Sequence, residues 1–264
     1  MKTPTLLAAC LLVLASALSG AMAQSGKPTV LDAVGDEVPA AFEAFQLLMG
    51  GEDNGNSPGP IQAGFRSVNW DADVVPFDMP GNFFRDGVTR GMALTTEGNE
   101  FRVSNPPEDD PGYPDNLFDS INADHPNQFQ AFSPERIFSP LMDNTFEITF
   151  SVPAKGDKAT VSAYGAIFVD VDNDEETYLE FFDEKDASLG LWYVPAYPQG
   201  LSFLGADLEK PVIAKVVVYL GGAKLDQPDQ PPQYDVAVMD DFLFAEPVPI
   251  AKKPAAGSMD DYGR

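Results

Sequence analysis

Three aspartates stand at alternate positions in the run Asp170-Val171-Asp172-Asn173-Asp174-Glu175-Glu176. Carboxylates are hard oxygen donors, and this spacing lets a loop wrap Asp170, Asp172 and Asp174 around calcium. The match to a helix–loop–helix calcium loop soon ends. Its sixth position holds Glu175 in place of the turn glycine, and its twelfth holds Phe181 in place of the bidentate Glu. The competing reading is a solvated acidic turn between two strands. Asp240-Asp241 forms a second candidate, because it interrupts the apolar pattern Val236-Ala237-Val238-Met239 and Phe242-Leu243-Phe244. Alternation places at least one of these carboxylates on the face of Val238 and Phe242, or makes the pair a bulge. A carboxylate buried there needs a partner or a cation. The expected metal ligands are therefore Asp170, Asp172, Asp174, Asp240 and Asp241, with Ca2+ as the ion. Glu52, Asp53, Asn54 and Asn56 offer further oxygens in a separate loop.

Aromatic side chains beside polar ones can stack on sugar rings. Trp70, between Asn69 and Asp71, and the pair Trp192-Tyr193 fit that description. The alternative for each ring is plain core packing. Paired carboxylates also serve glycoside hydrolysis, but with 41 acidic residues chance pairs are plentiful.

Other chemistries are excluded by what the chain lacks. His125 is its one histidine and Cys10 its one cysteine, which rules against a zinc site built on several His or Cys ligands. No Gly-x-Ser-x-Gly elbow accompanies His125, so it reads as a bystander in a long loop. No phosphate loop or dinucleotide fingerprint is present. Lys and Arg number 16 against 41 Asp and Glu, a formal net charge of −25. Nucleic acid and anionic membrane surfaces are repelled at long range by such a chain. The hydrophobic content of 44% argues against disorder, which leaves solubility and cation binding as the uses of the charge.

Residues 1–23 read as a secretory signal: Lys2, an apolar run over 6–18, and the small-x-small site Ala21-Met22-Ala23. A lipoprotein-type processing at Leu7-Ala8-Ala9-Cys10 competes, but the apolar run continues past it. The run is too short for a stable span, which needs about 20 apolar residues. The expected product is a secreted, extracellular or periplasmic protein without a thiol, with no stable membrane insertion.

The elements that must position these groups are mostly strands. Residues 24–36 read as an extended lead. Val38, Ala41, Phe42, Phe45, Leu48 and Met49 recur at helical spacing, with Glu37 and Pro39 suited to the first turn and Gly50-Gly51 as a stop. Residues 92–94 and 100–104 look like a pair of short strands around Glu97-Gly98-Asn99. Residues 105–127 form a long Pro-, Asp- and Asn-rich loop. Further strands are expected at 65–70, 128–132, 136–138, 145–152, 161–170, 177–183, 189–195, 201–205, 211–220 and 234–244. The 211–220 strand, apolar and β-branched, reads as central. Residues 247–264 read as a tail. The fold class is all-β: a two-sheet, jelly-roll-like β-sandwich with one N-terminal amphipathic helix and long loops, a single domain over 37–246.

Gly64-Phe65-Arg66-Ser67-Val68-Asn69-Trp70-Asp71 after Asn54-Gly55-Asn56 resembles the opening of a group of secreted bacterial proteins of uncharacterised activity. Phe132-Ser133-Pro134-Glu135-Arg136, Gly165-Ala166-Ile167-Phe168-Val169-Asp170-Val171-Asp172, Leu201-Ser202-Phe203-Leu204-Gly205 and Val238-Met239-Asp240-Asp241-Phe242 are similar to the same group. The final Asp-Asp strand is also similar to that of galactose-binding-like jelly rolls. That resemblance implies sugar binding and a structural calcium. The functional expectation is a secreted, non-catalytic, calcium-stabilised binding protein whose ligand is an extracellular carbohydrate or surface component. The alternatives are a polysaccharide hydrolase using paired carboxylates and a structural matrix protein.

Overall fold

The computed structural model describes residues 27–78, 81–98 and 100–251. The expected leader at 1–23, with Cys10, and residues 252–264 of the expected tail lie outside the described residues. The described chain forms a two-sheet β-sandwich with one short N-terminal helix. Its strands are β1 (Thr29–Val34), β2 (Phe65–Val68), β3 (Met92–Thr95), β4 (Phe101–Val103), β5 (Phe138–Pro140), β6 (Thr145–Ser151) and β7 (Lys158–Thr160). There follow β8 (Ala163–Val171), β9 (Tyr178–Phe182), β10 (Ser188–Tyr193), β11 (Tyr197–Asp207), β12 (Lys215–Tyr219), β13 (Val238–Ala245) and β14 (Val248–Pro249). One sheet runs β1-β11-β8-β13-β5-β4, with β2 also on β13. The other runs β10-β9-β12-β6-β7-β14, with β3 also on β6.

Alternation decides the faces. Val216 and Val218 of β12, and Leu179 and Phe181 of β9, point into the sandwich and are buried. β12 lies between β9 and β6, so the expected 211–220 segment supplies a central strand over its stretch Lys215–Tyr219. All nine residues of β8 are buried, because the opposite sheet covers one face of its sheet and helix α1 (Val38–Leu48) packs on the other. Val38, Phe42 and Phe45 form the buried stripe of α1. Phe45 meets Phe203 edge-on at 5.6 Å and sits over the cross-strand pair Gly165 and Gly205. A Cβ on either glycine would come within 2.8 Å of the Phe45 ring, so the bare backbone there lets the helix approach.

Three expectations change. Thr29–Val34 is no loose lead: it pairs along its length with β11 and forms the sheet edge. β3 and β4 do not form a hairpin; β3 joins β6 in one sheet and β4 joins β5 in the other. Segment 128–132 makes no strand, since Gln128 closes the 3-10 turn His125–Asn127. Among the described residues no helix is long and apolar enough to cross a membrane.

Candidate metal centre

The end of β8 and a distant loop bring three carboxylates together. Asp170, Asp172 and Asp229 each place an oxygen within 4.8 Å of the others. Asp170 follows seven buried strand residues and is itself only 1% exposed. Opposite it, the β11 register slips between Tyr197 and Leu201, and both Asp170 and Gln199 adopt positive φ. The slip aims the Gln199 N–H at Asp170 Oδ1, 2.6 Å away, while Asp170 Oδ2 is buried without a hydrogen-bond partner. Asp229 is held from two sides. Its Oδ1 accepts from the Val236 N–H at 3.1 Å and its Oδ2 from Gln128 Nε2 at 2.8 Å. Gln128 Oε1 is likewise buried with no partner.

Asp235 braces the group from behind. It is fully buried, and its Oδ2 accepts from the N–H groups of Asp172 and Asn173, both at 3.1 Å. Asn173 Nδ2 donates to Glu176 Oε2 and to the Pro232 carbonyl, which ties the β8–β9 turn to the 229–235 loop. None of these carboxylates takes part in a salt bridge among the described residues. Burial, and then the neighbouring aspartates, push Asp170 up to about 7, against the lowering effect of the Gln199 hydrogen bond. Burial with Asp229 nearby moves Asp172 to about 6, and burial raises Asp229. Asp235 is pushed up to about 7, again by burial first. Anionic oxygens gathered in this way, with no side-chain cation to offset them, favour a proton or a metal ion. The donors are all oxygens, which suits Ca2+ and excludes a soft-metal site.

Asp240 and Asp241 form a different feature. In β13 the register against β8 shifts between Met239 and Phe242, so both aspartates face Ile167. They form the bulge that the broken alternation allows. Ile167 lies three residues along β8 from Asp170, roughly 10 Å at about 3.3 Å per residue, so the bulge is separate from the metal group. Its carboxylates meet a third, Asp71, around one hydroxyl. Ser133 Oγ lies 2.9 Å from Asp71 Oδ2, 3.2 Å from Asp240 Oδ1 and 3.0 Å from Asp241 Oδ1. A hydroxyl has one proton to donate, so further protons must come from the carboxyls. Burial and Asp241 raise Asp240 well above the usual carboxylate range. Asp241 is pushed up to about 6 by burial, partly offset by its hydrogen bonds to Ser133 and Asp240.

Trp70 is fully buried. It stacks on Phe138 at 4.2 Å and 8° and meets Phe84 and Phe242 edge-on. Its indole N–H donates to the Asp240 carbonyl at 2.8 Å, beside the bulge. No ring face is left for a ligand, so core packing replaces the expected sugar contact. Asn69 and Asp71 belong to the same polar knot: Asp71 Oδ1 accepts from the Arg136 N–H and Asn69 Nδ2 reaches Ser133 Oγ at 3.4 Å. Trp192 and Tyr193 do reach a surface. They line a cleft of about 600 Å³ that also includes Asp174, so Asp174 lines that cleft and is not one of the three grouped carboxylates. Asn54 donates to Glu246, which holds Arg66 in a buried ion pair at 2.8 Å, and Asp53 accepts from Ser67 and the Gly55 N–H. That loop braces the fold. His125 is buried against Phe129, and burial lowers its pKa.

Sequence reading thus names Asp170 and Asp172 but misses Asp229 and its brace Asp235. No local spacing signals them, since they lie about sixty residues along the chain in a Pro-rich loop. Comparison with protein-family models, curated proteins and solved structures finds no match to this chain.

Proposed function

We propose that this chain is a secreted, non-catalytic binding protein stabilised by calcium, held by Asp170, Asp172 and Asp229. One observation carries the reading: three carboxylates converge within 4.8 Å, the innermost with a buried and unpartnered oxygen. Gln128 Oε1 supplies a neutral oxygen beside Asp229, and water completes the six to eight ligands that calcium takes. The ligand face is the cleft at Trp192 and Tyr193, and its ligand is an extracellular carbohydrate. The two sites share one turn, with Asp170 and Asp172 at its start and Asp174 and Glu175 further along. The hydrolase alternative gains no support from Asp240 and Asp241, since Asp240 is fully buried and Asp241 is 8% exposed.

Thermal melts with calcium, magnesium or EDTA test the reading. Extracellular calcium modules bind at about 10⁻⁴ to 10⁻³ M. With calcium at about 100 times Kd, binding adds about 2.7 kcal/mol, or roughly 5–10 °C in Tm for a chain of this size. Asp229→Asn should abolish that increment. A melt indifferent to calcium and EDTA overturns the metal reading.

A further inference from the structure

Helix α1 packs on β1 and β11; the outer face of the other sheet carries a row of tyrosines instead. Val216, Val218, Leu179 and Phe181 point inward and are buried, so alternation turns Tyr178, Glu180, Val217 and Tyr219 outward. Tyr193 of β10 pairs with Tyr178 of β9, which pairs with Tyr219 of β12. The three side chains stand side by side across three strands, roughly 10 Å at about 4.8 Å per strand step. Tyr178 and Tyr219 stack at 5.1 Å and 3°, and Tyr193 meets Tyr178 edge-on at 5.9 Å. Tyr193 is 47% exposed, and Leu191, in the next row, 39%. Beyond Tyr219 the row ends at Thr145 of β6, and among the described residues no second ring stacks on Tyr219 from that side. A cleft of about 570 Å³ begins there, lined by Thr145, Val217, Glu147, Thr95, Thr96 and Asp143.

The charged groups of this face are already engaged. Glu180 Oε1 accepts from Ser188 Oγ at 2.6 Å. Glu147 pairs with Lys215 at 3.2 Å, and Lys215 also holds Asp186 at 3.0 Å while lying over the Phe182 ring. Asp143 Oδ1 accepts from the N–H groups of Asn144 and Thr145. A cationic ligand would compete with Lys215 for Glu147, and an anionic one would meet Glu180 and Asp143. With a formal net charge of −25, a second copy of the chain and an anionic membrane surface are repelled as well. What the face offers is aromatic surface beside threonine hydroxyls, which both donate and accept. An uncharged ligand with flat C–H faces and hydroxyl edges matches both parts, and a sugar chain has that chemistry. Cross-strand aromatic pairs also stabilise a sheet. That role accounts for the contacts within the row but not for the hydroxyl-lined cleft that continues it.

We propose that this face binds an uncharged, linear polysaccharide, its sugar rings against Tyr193 and Tyr219 and its hydroxyls against Thr145 and Thr95. The proposal rests on the carbohydrate-binding reading above; it specifies the ligand class and carries the chain from the Tyr193 rim of the first cleft across the sheet. Calorimetric titration of the full chain with β-linked hexamers of glucose, xylose and mannose, with hexagalacturonate and with the glucosamine hexamer tests it. The expected result is binding of a neutral hexamer at least tenfold tighter than of either charged one. Tyr178→Leu and Tyr219→Leu keep apolar area but remove the flat ring, and each should weaken binding by about tenfold. Tyr219→Phe, which keeps the ring, should bind as the natural chain does, and so should Tyr113→Ala in the 105–127 loop. Binding undiminished in both leucine variants overturns the inference and leaves the carbohydrate reading standing at the cleft of Trp192. Binding of none of the hexamers overturns both. Equal binding of a charged hexamer overturns the uncharged ligand class, and equal loss in Tyr219→Phe or Tyr113→Ala overturns the stacking role. Self-association in light scattering that Tyr219→Leu abolishes assigns the face to a second copy and overturns the inference.

Discussion

Replacing Asp241 with Asn tests the physics of the bulge. The carboxyl is pushed from 3.8 up to about 6 by burial beside Asp240 and Ser133, so the folded protein binds a proton there that the unfolded chain has already released. Stability contributed by such a group is fully present below the unfolded value and is lost as pH rises through the folded one. One pKa unit is worth about 1.4 kcal/mol; part of the effect is already lost at pH 4, just above the unfolded value, so the raised Asp241 carboxyl removes about 2 kcal/mol between pH 4 and pH 7. Asn keeps the shape and a donor for Asp240 and never ionises. In urea unfolding of metal-free protein, the stability of Asp241→Asn relative to the natural chain should therefore rise by about 2 kcal/mol from pH 4 to pH 7.5. At about 2–4 °C per kcal/mol, the Tm difference should grow by roughly 4–8 °C. Parallel pH profiles for the two proteins would refute the proton-sharing account, and so would a variant that loses ground as pH rises.

The remaining expectations concern packing and local order. Gly205→Ala places a methyl against the Phe45 ring. It should cost about 1–3 kcal/mol in denaturant unfolding, and shortening the ring in Phe45→Leu should recover part of that loss. Chelation should loosen the second, smaller core of Phe118, Phe129, Leu225 and Val236, because the metal group joins β8 to the loop above it. Hydrogen exchange there should accelerate roughly 100-fold, matching about 2.7 kcal/mol, while β9 and β12 keep their protection. Uniform acceleration across the sandwich would contradict this division.

Much of the scaffold is legible in the sequence because burial on one face imposes a period of two. Val216 and Val218, or Leu179 and Phe181, declare their strands locally. The interruption at Asp240-Asp241 marks a bulge for the same reason. Helix α1 is visible in Val38, Phe42 and Phe45, although Leu48 of that stripe proves exposed. Pairing across long separations leaves no such trace. Thr29–Val34 becomes an edge strand only through β11, and β3 and β4 part company because their partners lie in different sheets. The same limit governs the sites. Asp170 and Asp172 stand out by spacing, whereas Asp229 joins them through a loop fixed by Gln128 and Val236. Trp70 is adjacent to Asn69 and Asp71 in sequence, yet its indole N–H finds a carbonyl inside the core. That satisfies its polar atom without exposing the ring.

The central claim is the cation held between Asp170, Asp172 and Asp229, and calorimetric titration of chelator-treated protein with calcium at pH 7.5 measures it most directly. The account predicts one ion per chain with Kd near 10⁻⁴ M, and no measurable binding in a folded Asp229→Asn variant. Absence of binding to the natural chain, or binding undiminished in Asp229→Asn, would contradict it.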